Sequence, residues 1–161
     1  MTQRWISCAL ALGTLLIAAG CDCQLEDVDT VIEDFESCGN IPLCGWTATD
    51  PSGARLTTTF HPSEHGLELQ PGVAATFPTS IRTEEIHVVS DCRTGIILHL
   101  DGRPFRMVAT SQGSQPFYRL AVVVSRGGDD VGSLGIENMS GRTCVIDDVR
   151  SIDDVCLEDD L

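Results

Sequence analysis

The sequence predicts an all-β protein, an antiparallel β-sandwich, and three observations point that way. Most of the chain divides into about ten short segments rich in β-branched and aromatic side chains, each bounded by Gly, Pro or Asp. Several of them alternate apolar and polar side chains with period two, as expected of a strand covered on one face. Helical periodicity is almost wholly missing beyond residue 20.

The first segment is a leader. Met1 to Arg4 make a short start with Arg4 as its basic side chain. Trp5 to Ala19 are apolar apart from Ser7, Gly13 and Thr14, and Ala18, Ala19 and Gly20 close the run with small residues. That is the order of an export signal, and the run is short for a helix that spans a bilayer. Ile17-Ala18-Ala19-Gly20-Cys21 resembles the lipobox of bacterial lipoproteins. The resemblance implies cleavage before Cys21, lipidation of Cys21, and a chain anchored to a bacterial membrane on its extracytoplasmic side, in the cell envelope. Each buried acyl methylene contributes about 0.8 kcal/mol, so stable anchoring needs more than one chain, and the family's anchor carries several. Residues 1–20 are therefore read as the signal peptide, 21–30 as the lipidated cysteine and a short acidic tether, 31–157 as the β-sandwich domain and 158–161 as an acidic tail.

The domain opens at "TVIEDFE", followed by "ARLTTTF", "GLELQ" and "VAATF" with punctuation at "HPSEHG" and "QPG". "EEIHVVS", "GIILHLD", "PFRMVATS", "PFYRLAVVVS", "VGSLGIE" and "TCVIDDVRSI" complete the series. In "GIILHLD", Ile97, His99 and Asp101 share one face, opposite Ile96, Leu98 and Leu100. In "PFYRLAVVV", Tyr118, Leu120 and Val122 share the face opposite Phe117, Arg119 and Ala121. Once residues 1–20 are removed, 141 of the 161 residues remain, enough for one domain that buries about two-thirds of its unfolded surface.

The net charge is −14 and all ten basic residues are arginine. Such a chain repels nucleic acid and anionic lipid headgroups, and nucleic acid is excluded as a partner. Seven acids lie between Asp22 and Glu36 and seven more between Asp147 and Asp160. Of the eight cysteines, Cys8 belongs to the leader and Cys21 to the anchor, leaving Cys23, Cys38, Cys44, Cys92, Cys144 and Cys156. An even set in an exported chain reads as disulfides. Spacing favours Cys38–Cys44 as a local bridge. Cys23–Cys156 follows if the chain ends meet, and Cys92–Cys144 is the pair left. Zinc is a poor rival, because no CxxC pair exists.

Phe35-Glu36 followed by Gly45-Trp46, the strand "GLELQPG", and the closing Ile146-Asp147-Asp148-Val149 resemble bacterial jelly-roll modules of the carbohydrate-binding type, and also the MAM adhesion domain. The resemblance spans residues 31–156, with strong matches at about 20 positions. It implies a jelly roll whose first and last strands are neighbours. The two acidic clusters would then converge and repel, and a cation would offset that repulsion. In the related modules a structural calcium sits between the opening glutamate and the closing aspartate. The resemblance thus implies Ca²⁺ held by Glu36 and Asp148, with Asp147 or Asp34 as substitutes. Adjacent strand residues face opposite ways, so Asp147 and Asp148 reach one ion together only across a bulge.

No catalytic constellation is expected, and the protein is not expected to be an enzyme. His61 and His65 in "HPSEH" match a zinc-peptidase spacing, but Pro62 and Gly66 interrupt the helix that chemistry needs. His99 and Asp101 share a strand face as a base and its orienter would, yet no nucleophile can be placed beside them. His99 is read as a satisfied sheet residue. The expected function is that of a membrane-anchored extracytoplasmic binding module with carbohydrate as its ligand. The alternatives are a MAM-like adhesion or protein-interaction domain and a purely structural envelope lipoprotein. Exposed aromatic rings on a concave sheet face would favour glycan, and a flat apolar patch above roughly a few hundred Å² would favour protein.

Overall fold

A computed structural model describes residues 24–36, 42–58, 65–112, 117–125 and 128–157. The leader, Cys21, Cys23, Cys38, His61 and the tail 158–161 lie outside them. The described residues form strands β1 (Gln24–Glu33), β2 (Thr47–Ala48), β3 (Ala54–Thr57), β4 (Gly66–Leu69), β5 (Ala74–Thr83) and β6 (Glu85–Ser90). They continue with β7 (Ile96–Leu100), β8 (Arg103–Arg106), β9 (Val108–Gln112), β10 (Tyr118–Val123), β11 (Asp129–Asn138) and β12 (Cys144–Leu157).

Two antiparallel sheets face each other. One runs β3-β4-β12-β6-β10-β9, with β1 added to β12; the other runs β2-β5-β11-β7-β8. Each sheet inserts a late strand between two early ones: β12 between β4 and β6, and β11 between β5 and β7. That interleaving is the double Greek key of a jelly roll. The sandwich predicted from the short alternating segments is therefore the fold observed.

Alternation explains the core. Ile86 and Val88 of β6, Ile96, Leu98 and Leu100 of β7, Leu134 and Ile136 of β11, and Leu67 and Leu69 of β4 all point inward and are buried. Each is stabilising by about 1.5–3 kcal/mol relative to exposure. Ile97 and His99 lie between the buried positions of β7 and remain half-buried on the outer face. Asp101 and Gly102 both have positive φ, 48° and 76°, which gives the two-residue turn that joins β7 to β8.

Three local readings are corrected. "PFRMVATS" is not one strand: it breaks at Met107, whose buried side chain plugs the core where the chain crosses from β8 in one sheet to β9 in the other. The stretch read as a tether to Thr30 is, from Gln24 onward, strand β1. It pairs with β12 from Gln24↔Leu157 to Glu33↔Val149. Its ladder lacks a clear hydrophobic signature, since Val28 and Val31 are 40% and 46% exposed. The third is the length of β5, which runs past "VAATF" to Thr83 against β11.

Cys92 and Cys144 are joined by a disulfide, with Cα atoms 5.6 Å apart and a separation of 52 positions in sequence. Cys44 is also disulfide-bonded. Cys156 stands opposite Leu25, so the two ends of the domain do meet, as a Cys23–Cys156 bridge requires. That bridge itself lies outside the described residues, as does Cys38–Cys44.

Candidate functional site

The closing strand carries the first candidate. Between Asp147 and Arg150, β12 slips by one residue against β6, and Asp148 takes a left-handed conformation at φ 45°. This is a bulge. It lets Ile146 and Val149 both enter the core despite their three-residue spacing. Asp147 is 1% exposed, and its Oδ1 accepts the Asp148 N–H at 2.7 Å. Asp148 Oδ1 accepts from Arg150 Nε at 2.6 Å, and Arg150 also reaches Asp29 of β1 at 3.1 Å. Glu36 is held elsewhere: its Oε1 accepts the His65 N–H at 2.9 Å, and Oε2 lies 3.4 Å from His65 Nδ1. Asp34 Oδ1 accepts the Glu36 N–H at 3.0 Å.

The bulge that two adjacent ligands require is thus present, but Glu36, Asp147 and Asp148 do not form a ready cation cage. Among the described residues, the set of three possible ligand atoms within 4.8 Å of one another comes from Asp91, Cys92 and Cys144. Both of those thiols are consumed by the disulfide. Asp91 is occupied as well, accepting the Val145 N–H at 2.8 Å and pairing with Arg142.

The aromatic side chains named by the resemblance serve the core. Phe35 and Trp46 are buried, with ring centroids 6.1 Å apart, and Trp46 stacks on Phe77 at 5.4 Å. Phe105, Phe117 and Tyr118 are likewise buried or half-buried. No aromatic ring among the described residues stands fully exposed.

The second candidate lies on the outer face of the five-stranded sheet. Register sets Thr76 of β5, Gly135 of β11 and His99 of β7 in one row. Around them Ala74, Gly102, Ser133 and Glu137 complete an open groove of about 310 Å³. Gly135 forms the floor: a Cβ there would come within 3.1 Å of the His99 Cβ and 3.3 Å of the Thr76 methyl. Mid-strand glycine without positive φ often marks a place where something approaches the backbone. At the wall, His99 Nε2 meets Glu137 Oε2 at 2.8 Å, both side chains roughly a quarter exposed (27% and 28%).

His99 therefore does not partner Asp101, its neighbour on the strand face. Asp101 Oδ1 instead accepts the backbone N–H groups of Gly132 and Ser133 at 3.0 and 2.9 Å, which ties the β7–β8 turn to β11. Sequence reasoning missed Gly135 and Glu137. The available signal was the glycine inside the strand pattern "VGSLGIE", followed two residues later by an acid on the same face.

A smaller polar hollow of about 300 Å³ lies at the β3–β4 edge, where Arg55 and Glu68 close on each other through two hydrogen bonds of 2.8 and 3.0 Å. Both partners are satisfied within the protein there, unlike the open atoms of the groove.

No family model and no curated protein matches the chain. Among solved structures it is similar to the catalytic unit of a thermostable GH87 alpha-1,3-glucanase from Streptomyces thermodiastaticus strain HF3-3, with a TM-score of 0.44 and 12% identity. The match covers 68% of this chain and 26% of that one. A likeness that weak carries no argument about what this chain does.

Proposed function

We propose that this protein is a lipid-anchored, extracytoplasmic, non-catalytic binding domain of the bacterial cell envelope, with a glycan as its first ligand class. One observation carries the binding half of the proposal: the groove on the outer sheet face, with its glycine floor and half-buried His99–Glu137 pair. The envelope half rests on the leader, on the lipobox resemblance of Cys21, and on a long-range disulfide of the kind that persists in oxidising compartments.

A second reading, MAM-like capture of a protein, is favoured by a different observation. Val108 and Val123, 62% and 61% exposed, flank Ala121 on the outer face of the other sheet. A purely structural envelope role is what remains if neither face binds. Calcium at Glu36, Asp147 and Asp148 is a separate proposal, supported by the bulge at Asp148. It would require Asp148 to release Arg150 and Glu36 to release His65.

The test is a glycan and polysaccharide binding screen, run in calcium and again in EDTA. Binding in both conditions supports the glycan reading without the ion, and binding lost in EDTA supports the ion as well. No binding in either condition moves the assignment to the protein-partner reading.

A further inference from the structure

The groove's chemistry narrows what it would hold. An ionised carboxylate only accepts hydrogen bonds, so in the His99–Glu137 contact the imidazole Nε2 is the donor. In the Nε2–H tautomer that this contact selects, Nδ1 is left as an acceptor. Glu137 Oε1 is a second acceptor, and neither atom has a hydrogen bond among the described residues. Two acceptors on one residue pair call for a ligand that brings donors. Hydroxyl groups satisfy them, whereas an anion, which also brings only acceptors, would leave them unpaired beside a negative charge. The net charge of −14 repels anionic polymers further.

Size and floor narrow it again. A volume of about 310 Å³ is at the small end of ligand pockets, roughly 300–1,000 Å³, which suits one ring rather than several. The floor of Gly135, Ala74 and the Thr76 methyl is low and apolar, a seat for the C–H face of a pyranose. The hydroxyls of Thr76 and Ser133 are already turned to the Thr47 carbonyl and to Asp101, so they stabilise the groove and leave recognition to His99 and Glu137.

We infer that this groove is a subsite for one neutral sugar ring of a glycan, seated face-down on Gly135 with two of its hydroxyls donating to Glu137 Oε1 and His99 Nδ1. The inference rests on the glycan reading above and assigns it a place that needs no aromatic platform.

The test uses the full chain in a detergent without a sugar headgroup, with D-glucose, D-mannose and D-galactose as probes, followed by ligand-observed saturation-transfer NMR and competition for affinity. The expected result is saturation of ring C–H protons for at least one of the three sugars. Gly135→Val, which fills the floor, and Glu137→Gln, which removes a charged acceptor, should each weaken binding roughly tenfold or more. Arg55→Ala, at the other hollow, should leave it unchanged. If Gly135→Val does not fold, as read by circular dichroism, the nearly isosteric Glu137→Gln decides alone. Sugar binding that Glu137→Gln leaves intact overturns the subsite while the glycan reading stands. Polysaccharide binding without any monosaccharide binding also overturns the single-ring subsite alone. No binding of any sugar or polysaccharide overturns both.

Discussion

Strands β1 and β11 are both ten residues long and both lie in antiparallel ladders, yet different forces hold them. β11 has a neighbour on each side, and Val131, Leu134 and Ile136 are buried beneath it. Among the described residues β1 pairs with β12 alone, and Val28 and Val31 stand open to water. Arg150, bridging Asp148 and Asp29, is the cation that ties the two strands near the bulge. Hydrogen bonding is common to both strands, and side-chain burial is what separates a structural member from an appended ribbon. The groove is built on the first kind of strand, where a rigid ladder holds Gly135 between Thr76 and His99.

The comparison can be broken most forcefully at the disulfide. Replacing both Cys92 and Cys144 by alanine frees a 52-residue loop whose closure is worth about 4 kcal/mol in the chain-entropy account. Urea unfolding should show that loss, and a change below about 1 kcal/mol would mean the sandwich holds those ends without it. Next comes Leu134→Ala beneath β11, a fully buried position, with an expected loss of about 3 kcal/mol.

A pH titration sharpens the contrast from the other side. Burial pushes the Glu33 carboxyl above its ordinary value of 4.5, assisted by Asp34 and opposed by the Phe35 N–H it accepts. Between that value and the raised one, the folded chain binds more protons than the unfolded chain, so stability falls as pH rises through the window and is fully present below about 4.5. Thermal melts across that range should show the slope, and Glu33→Gln should flatten it; an unchanged slope would place its origin in other acids. The smallest effect is expected for Val31→Ala in β1, within about 0.5 kcal/mol. If Val31→Ala were as damaging as Leu134→Ala, the ribbon would be part of the core and the comparison would fail.

Much of the fold was legible because strand alternation is local. "GIILHLD" shows its two faces to anyone counting by twos, and Ile96, Leu98 and Leu100 are the buried one. The part of β1 before Thr30 was not legible, because its stability comes from backbone pairing with β12 and leaves little hydrophobic pattern. The break at Met107 was hidden for the opposite reason: the residue is apolar on either reading, and only the crossing between sheets reveals its plug. Of the candidate site, His99 was legible as a satisfied sheet histidine, but Glu137, the residue that satisfies it, lies on another strand and was not.

By itself the sequence determined the two-faced strands and the acidic charge. These follow from composition and short-range periodicity. Only the tertiary structure decided that β11 enters between β5 and β7, and hence that His99 meets Glu137, 38 residues away, rather than Asp101 beside it. The reason is physical. Ladder register between strands distant in sequence is set by the joint packing of both sheets, so it leaves no mark on any single segment.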